Sequence, residues 1–247
     1  MIGDMQKWTP NVAGIIEHAR EIHPKTEVIS RLVSGEIHRT NYEEVCIRSR
    51  KLGSALEKDG VKKGDVVATL ALNTYRHLEM YYGISGMGAI THTLNFRLHP
   101  EQAIYIINHA EDKIIFVELP FVPILEGLQD QLTTVEKYIV LCEEAEMPET
   151  LLKNAISYEE YIKDGDENYD WPELDDDAAC ALCYTSGTTG NPKGVLYSHK
   201  SNVIHAQAAL TAMTIKPDDS ILMVVPLFHV LAWGIPYFGP MNGLKLV

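Results

Sequence analysis

The stretch from Tyr184 to Gly194 reads YTSGTTGNPKG and gathers small, hydroxylated and cationic side chains into one run. Such a run can close backbone around phosphate. Gly187, Gly190 and Gly194 permit positive φ and close approach of N–H groups to phosphate oxygens, while Ser186, Thr188 and Thr189 add hydroxyl donors. Lys193 supplies a point charge, and the Thr185 hydroxyl could ligate Mg2+ if acidic or phosphate oxygens completed the shell. The run is not a Walker A loop, because Pro192 precedes Lys193 and Gly194 stands where Ser or Thr is required. A plain hairpin turn at Asn191-Pro192-Lys193-Gly194 would account for the proline and the last glycine, but not for the hydroxylated residues before them.

The apolar run Ala178 to Tyr184 suspends this loop from the end of a buried strand, a common place for nucleotide sites. Upstream, Val45, Leu52, Ala55 and Leu56 mark a helical face, Gly60 to Asp65 a turn, and Val66 to Leu72 a buried strand. Leu78, Tyr81, Tyr82, Ser85 and Ala89 form a second helical stripe; Glu101 to His109 predicts a third helix and Ile114 to Val117 a short strand. Phe121 to Leu132 and Tyr138 to Cys142 continue the alternation. After the loop come a helix with Val203, Ala206, Leu210 and Met213 on one face, a strand at Ile221 to Val225, and an alternating strand at Leu244 to Val247. The pattern predicts an α/β fold of parallel sheets flanked by helices.

Composition narrows the class. With 247 residues, 46% of them hydrophobic, the chain can bury one large core or two smaller ones. Its net charge of −13 is concentrated in residues 143–177, where 14 acidic and 2 basic side chains leave the remainder close to neutral. This stretch predicts a solvated surface excursion between core elements. No basic patch points to nucleic acid. Four cysteines in a chain of this length form no disulfide framework and fit a reducing compartment. Cys180-x-x-Cys183 lies within a predicted strand, so neither zinc nor redox function follows from it. Met1 to Pro10 lacks a basic-then-apolar signal pattern, and a cytoplasmic location is the expectation. Ile221 to Pro240 is apolar, but Pro226, Pro236, Pro240 and His229 interrupt it as a membrane span.

The signature run with Val195-Leu196-Tyr197-Ser198-His199 behind it resembles the phosphate loop of the adenylate-forming (AMP-binding) superfamily. A second segment, Val225 to Gly234, is similar to the lining of the acyl pocket in the fatty-acyl-CoA synthetase branch. Asn73 to Gly83 and Asn108 to Asp112 resemble bacterial medium-chain and methylthiopropionate CoA ligases. The resemblance implies a two-step reaction, in which a carboxylate attacks the α-phosphorus of ATP and the acyl-adenylate is then captured by coenzyme A. It also implies Mg2+ as cofactor and a medium-chain fatty acid or short thioether acid as substrate.

By the same resemblance His229 stands beside the carboxylate and α-phosphate, Trp233 gates the acyl tunnel and Gly234 lines it. A lone histidine in an apolar run is otherwise a hydrogen-bonded core residue, and a tryptophan a core aromatic. The chain departs from the family pattern at Leu231, where asparagine is common. The family's later Tyr-Gly-x-Thr-Glu, Thr-Gly-Asp and Gly-Arg-x-Lys segments do not occur in it. The expectation is an incomplete N-terminal adenylate-forming domain without the small C-terminal domain, not fully active alone. A non-catalytic nucleotide-binding or assembly module and a different adenylate-forming ligase are the alternatives. Oligomeric state stays open, a homo-oligomer included. If the loop binds phosphate, Lys193→Ala will weaken ATP binding while the fold stays intact; unchanged affinity in a calorimetric titration defeats the assignment.

Overall fold

Parallel strands need long crossovers, and this chain supplies most of them as helices. The computed structural model describes residues 8–185 and 191–247. It begins with α1 (Val12–Ile22), β1 (Glu27–Arg31), β2 (Ile37–Asn41), α2 (Tyr42–Lys58), β3 (Val66–Leu70), α3 (Tyr75–Gly86) and β4 (Ile90–Thr93). There follow α4 (Pro100–Ala110), β5 (Ile114–Val117), α5 (Val122–Leu128), β6 (Lys137–Val140), β7 (Ala155–Ser157), α6 (Tyr158–Ile162) and β8 (Ala179–Thr185). The last part holds β9 (Lys193–Ser198), α7 (His199–Ala212), β10 (Ser220–Ile221), α8 (Ile235–Met241) and β11 (Lys245–Leu246).

Among the described residues seven strands form one sheet in the order β7-β6-β5-β3-β4-β8-β9, and β10-β11-β1-β2 form a second. The large sheet is parallel throughout except for the β8-β9 hairpin; the small one is parallel except for β1-β2. The direction of winding reverses after β4, whose following helix α4 leads back across β3 to β5. Helix α3 packs with α2 and α6 on one face of the sheet, and α4 and α5 cover the other. A third core joins α1, α3, α7 and α8 to the small sheet and to Cys180, Ala181 and Cys183 of β8. The carboxyl ends of β3, β4 and β8 therefore meet at a topological switch point, where open α/β sheets take their ligands.

Local sequence explains the boundaries. Asn11, Asn41, Ser157 and Ser198 each cap a helix by accepting a backbone N–H from its first turn. Helix α4 opens with Pro100 at its first turn and ends at Glu111, which adopts φ 58. Gly83 lets α2 and α3 approach closely, since a Cβ there would lie 2.7 Å from Leu52 Cδ2.

The structure corrects three expectations. The strand predicted at Ile221 to Val225 is paired only at Ser220–Ile221, and Leu222 and Val224 are 68% and 77% exposed. The predicted helical stripes overrun, with Ala89 lying beyond α3 and Met213 beyond α7. The acidic stretch 143–177 is only in part a surface excursion, because β7 pairs with β6 and Tyr158 of α6 is wholly buried. Trp171 folds back onto the helices and donates its indole N–H to Glu17 at 2.7 Å. All four cysteines are free and buried, and no helix among the described residues is long and apolar enough to cross a membrane.

Part of the acidic charge has a structural use. Glu159 accepts from both Arg48 terminal nitrogens at 2.9 Å and from Arg76 Nε at 2.9 Å, and Arg76 reaches Glu143 at 2.6 Å. At the centre Glu79, 0% exposed, accepts from Arg48 Nε at 2.7 Å and from Tyr158 at 2.8 Å. Burial pushes the Glu79 carboxyl up against the pull of Arg48. For Glu159 burial also acts upward, but Arg48 and Arg76 outweigh it and hold the group below its ordinary value. The network ties α2, α3 and α6 together, so Glu79→Ala, which strands Tyr158 and part of Arg48, is expected to cost about 3 kcal/mol. A shift of the urea midpoint equivalent to less than about 1 kcal/mol counts against that role.

Two buried imidazoles set a pH dependence. Burial holds His77 and His199 down to about 4 from 6.5. His199 Nδ1 accepts the Val12 N–H at 3.3 Å and so must stay unprotonated to cap α1. Between pH 6.5 and 4 the unfolded chain binds protons that the folded chain refuses, so these groups remove stability as pH falls through that window. His199→Gln is expected to give a shallower loss between pH 7 and 5 in denaturant titrations. A slope equal to the parent's rejects this account.

Candidate functional site

Asn73, just past the end of β3, fixes the segment that leads to His229. Its amide nitrogen donates to Met223 O and Val225 O, both at 2.9 Å, and its amide oxygen accepts from Leu227 N at 2.8 Å. Tyr81 of α3 donates to Leu227 O, and Thr93 at the end of β4 donates to Phe228 O at 3.3 Å. These contacts satisfy the backbone of an extended segment that has no strand neighbour for most of its length. They set His229 at the mouth of the switch-point crevice.

The crevice there is a cleft of about 400 Å³ lined by Thr93 and Asn95 from the end of β4, Tyr184 and Thr185 from β8, and Tyr197 and His229. Leu98, Ile106, Pro192 and Phe228 add apolar wall. Two predicted site residues, Thr185 and His229, are thus brought together, and His229 is exposed rather than a core histidine. Lys193 is exposed in β9 directly across from Thr185, whose hydroxyl donates to Lys193 O at 3.4 Å. Ser186, Gly187, Thr188, Thr189 and Gly190 lie outside the described residues.

Two predictions for the loop change. Tyr184 to Thr185 pair with Gly194 to Lys193, so the last two residues of the expected turn are strand residues of a hairpin whose connection begins earlier. Gly194 is not among the positive-φ glycines. A Cβ there would lie 3.0 Å from Leu182 Cδ1 and 3.3 Å from Tyr184 Cζ, so its bareness serves close packing.

Trp233 and Gly234 do not line the cleft. They border a neighbouring groove of about 710 Å³ with His205, Ala209 and Met213, and Val230 and Tyr197 face both spaces. Trp233 is 65% exposed, which excludes the core-aromatic reading. The backbone from Val230 to Trp233 holds φ between 47 and 57, followed by Gly234 at 83. Such a left-handed run is unfavourable for L-residues by roughly 1–2 kcal/mol each. His205 Nε2 meets Trp233 O at 3.2 Å and braces it.

For Mg2+, the residue fit is partial. Thr185 offers a hydroxyl, but the described lining of the cleft carries no carboxylate, so phosphate oxygens would have to complete the shell. Sequence reasoning passed over Asn73, Thr93 and Tyr197 as site residues. Asn73 had a signal, a lone amide immediately after an apolar strand run, where a strand end opens into a crevice.

Comparison with known proteins identifies the family and the fold. A family model described as AMP-binding enzyme matches residues 16–247. The chain is 45% identical to a medium-chain-fatty-acid–CoA ligase of Ectopseudomonas oleovorans, over 100% of this chain and 46% of the relative. It is 43% identical to a 3-methylmercaptopropionyl-CoA ligase of Ruegeria pomeroyi, again over 100% and 46%. Among solved structures it superposes on a long-chain-fatty-acid-CoA ligase from Archaeoglobus fulgidus with a TM-score of 0.85 at 23% identity, covering 100% of this chain and 49% of that one. It also superposes on a Mycobacterium tuberculosis fatty acyl CoA synthetase with a TM-score of 0.80 at 22% identity, covering 96% and 44%. The chain belongs to the AMP-binding enzyme family, and its fold is that of the N-terminal part of adenylate-forming enzymes. It spans about half the length of the curated relatives it matches.

Proposed function

We propose that the chain forms the nucleotide- and carboxylate-facing part of an ATP-dependent acid–CoA ligase, the N-terminal portion of such an enzyme over residues 1–247. The observation that carries this reading is the cleft that joins Thr185, at the root of the signature loop, to His229 at the carboxyl end of the parallel sheet. The reaction begins with two anions. A carboxylate oxygen attacks the α-phosphorus of ATP, the bond to the bridging oxygen breaks and pyrophosphate leaves. The thiol of coenzyme A then attacks the acyl carbon, and AMP departs with the electron pair of the broken C–O bond.

The protein's contribution to the first step is to offset repulsion and fix an in-line approach. Lys193 and the loop donors from Ser186 to Gly190 serve the phosphates, and Thr185 with phosphate oxygens serves Mg2+, which would neutralise phosphate charge. The His229 ring, exposed on a braced segment, donates to the anionic oxygens where acid and α-phosphate meet. Trp233 and Gly234 border the groove beside it, which suits an apolar acyl chain. The names of the two curated relatives support a medium-chain fatty acid or a short thioether acid as substrate. A cytoplasmic location fits the four free cysteines.

A second reading has its own observation. Thr185 and Lys193 face each other beside a cleft whose described lining carries no carboxylate, and a nucleotide-binding module without catalysis needs no more than these. Octanoate and 3-methylthiopropionate separate the two in an acid-dependent ATP–pyrophosphate exchange assay with Mg2+. Exchange stimulated by either acid is expected, slow for the chain alone, and His229→Ala is expected to lower it by about 10²-fold, the effect of removing one donor to a developing anion. ATP binding without acid-dependent exchange supports the module instead, and an undiminished rate in His229→Ala removes that residue from the chemistry.

A further inference from the structure

Behind the strand that carries Thr185 lies a group of titratable side chains for which the proposed chemistry has no use. His92 on β4 and Asp112 after α4 are both 0% exposed and meet at 2.8 Å, Nδ1 to Oδ2. His92 Nε2 and Asp112 Oδ1 have no hydrogen-bond partner among the described residues. The His92 ring packs 5.1 Å from the Tyr184 ring, centroid to centroid, at an angle of 46°. From the other side, His109 in the last turn of α4 is hydrogen-bonded through Nδ1 to the Tyr184 hydroxyl at 2.6 Å, and the His109 ring lies 5.3 Å from that of Tyr105. Across the hairpin Tyr184 faces Gly194, whose missing Cβ makes room for the ring.

The need for such a hold follows from the sheet. Among the described residues β9 is an edge strand, and Lys193, Gly194, Val195 and Leu196 are all exposed. Its neighbour β8 ends with Thr185, also exposed. A hairpin end this exposed opens more easily than the sheet behind it, and any ordering left until a ligand arrives is subtracted from its affinity. Tyr184 is the residue through which this tip is tied to α4 and to the interior of β4.

We propose that Tyr184 is a positioning residue, clasped by His109 and backed by the buried His92–Asp112 pair, that sets the spacing of Thr185 and Lys193 for a bound polyphosphate. The proposal rests on the phosphate-binding reading of those two residues, and the test separates the failure of one from the failure of the other. Amide exchange and Mg-ATP calorimetry would be measured on the parent chain and on Tyr184→Phe, His109→Ala and His109→Gln. Tyr184→Phe and His109→Ala are expected to speed exchange at Thr185 and Lys193, and to weaken ATP binding, by about tenfold each, the upper end for one lost hydrogen bond. Exchange in β3 and β5 and the thermal midpoint stay at parent values. His109→Gln, whose amide can still bond the phenol, restores most of both effects.

Parent-like exchange at Thr185 and Lys193 in Tyr184→Phe overturns the clasp whether or not ATP binds. Exchange raised across the whole sheet with a lowered midpoint also overturns it, since Tyr184 is then a general packing residue. Faster exchange confined to the tip, in a parent chain that binds no ATP, upholds the clasp and overturns the phosphate reading.

Discussion

Parallel pairing of Thr91 with Ala181 and of His92 with Leu182 joins β4 to β8, and the cleft exists because of it. Two strands far apart in sequence close a long loop, yet closure entropy grows only slowly with length, so the intervening chain can be spent on β5, β6, β7 and their helices. Once β4 and β8 lie side by side, their carboxyl ends present Thr93 and Asn95 next to Tyr184 and Thr185 without further adjustment. The same pairing buries His92 against Tyr184 and places Cys183 Sγ 3.4 Å from the Thr93 hydroxyl. Apolar burial along Cys180 to Cys183 supplies the driving force.

Helix α3 links that pairing to the second half of the site. Its whole surface is buried, an arrangement that suits a helix enclosed between the large sheet and the layer of α1, α7 and α8. Polar residues can stay inside it because each has a defined partner. Glu79 is met by Arg48 and Tyr158, and His77 by Thr69 and Leu72. The tyrosines tie the helix to the candidate site: Tyr81 donates to Leu227 O and Tyr82 to Pro236 O, on either side of the His229–Trp233 segment. The ion-pair network of Glu79, Arg48 and Glu159 thus fixes the helix from which the His229–Trp233 segment hangs.

Much of the layout could be read from the residues, and what could not has a physical cause. Ile114 to Val117 coincides with β5 because four apolar residues between turn signals have few other uses. Helix α2 was legible from its apolar spacing and the turn behind it, and α4 falls over the expected range Glu101 to His109. The stretch Ile221 to Val225 misled because a short apolar run reports extended backbone, and extended backbone can be satisfied by one asparagine as well as by a neighbouring strand. The acidic stretch misled in the opposite sense. Charge counting sees Glu159 as solvated, but its partners Arg48 and Arg76 lie on α2 and α3, at separations that no local pattern reveals. At the loop, the hydroxyls and Lys193 stood out by type, whereas the role of Gly194 depends on the ring across the hairpin.

The placement of Val230 to Gly234 shows how the two apolar spaces are kept apart. A right-handed continuation after His229 would have been the relaxed course for these residues, yet the chain turns left-handed through Trp233 and starts α8 only after Gly234. Backbone held against its preference persists when the surroundings over-determine it. Here Leu231 and Ala232 are buried in the core beneath, Thr93 and Tyr81 hold the approach, and His205 holds the exit at Trp233 O. The outcome is that Val230, on the ridge between cleft and groove, touches both spaces while Trp233 is turned out to the groove side. A residue of ordinary geometry at this point would merge His229 and Trp233 onto one helical face. The left-handed turn instead leaves the imidazole lining the cleft and the indole bordering the groove.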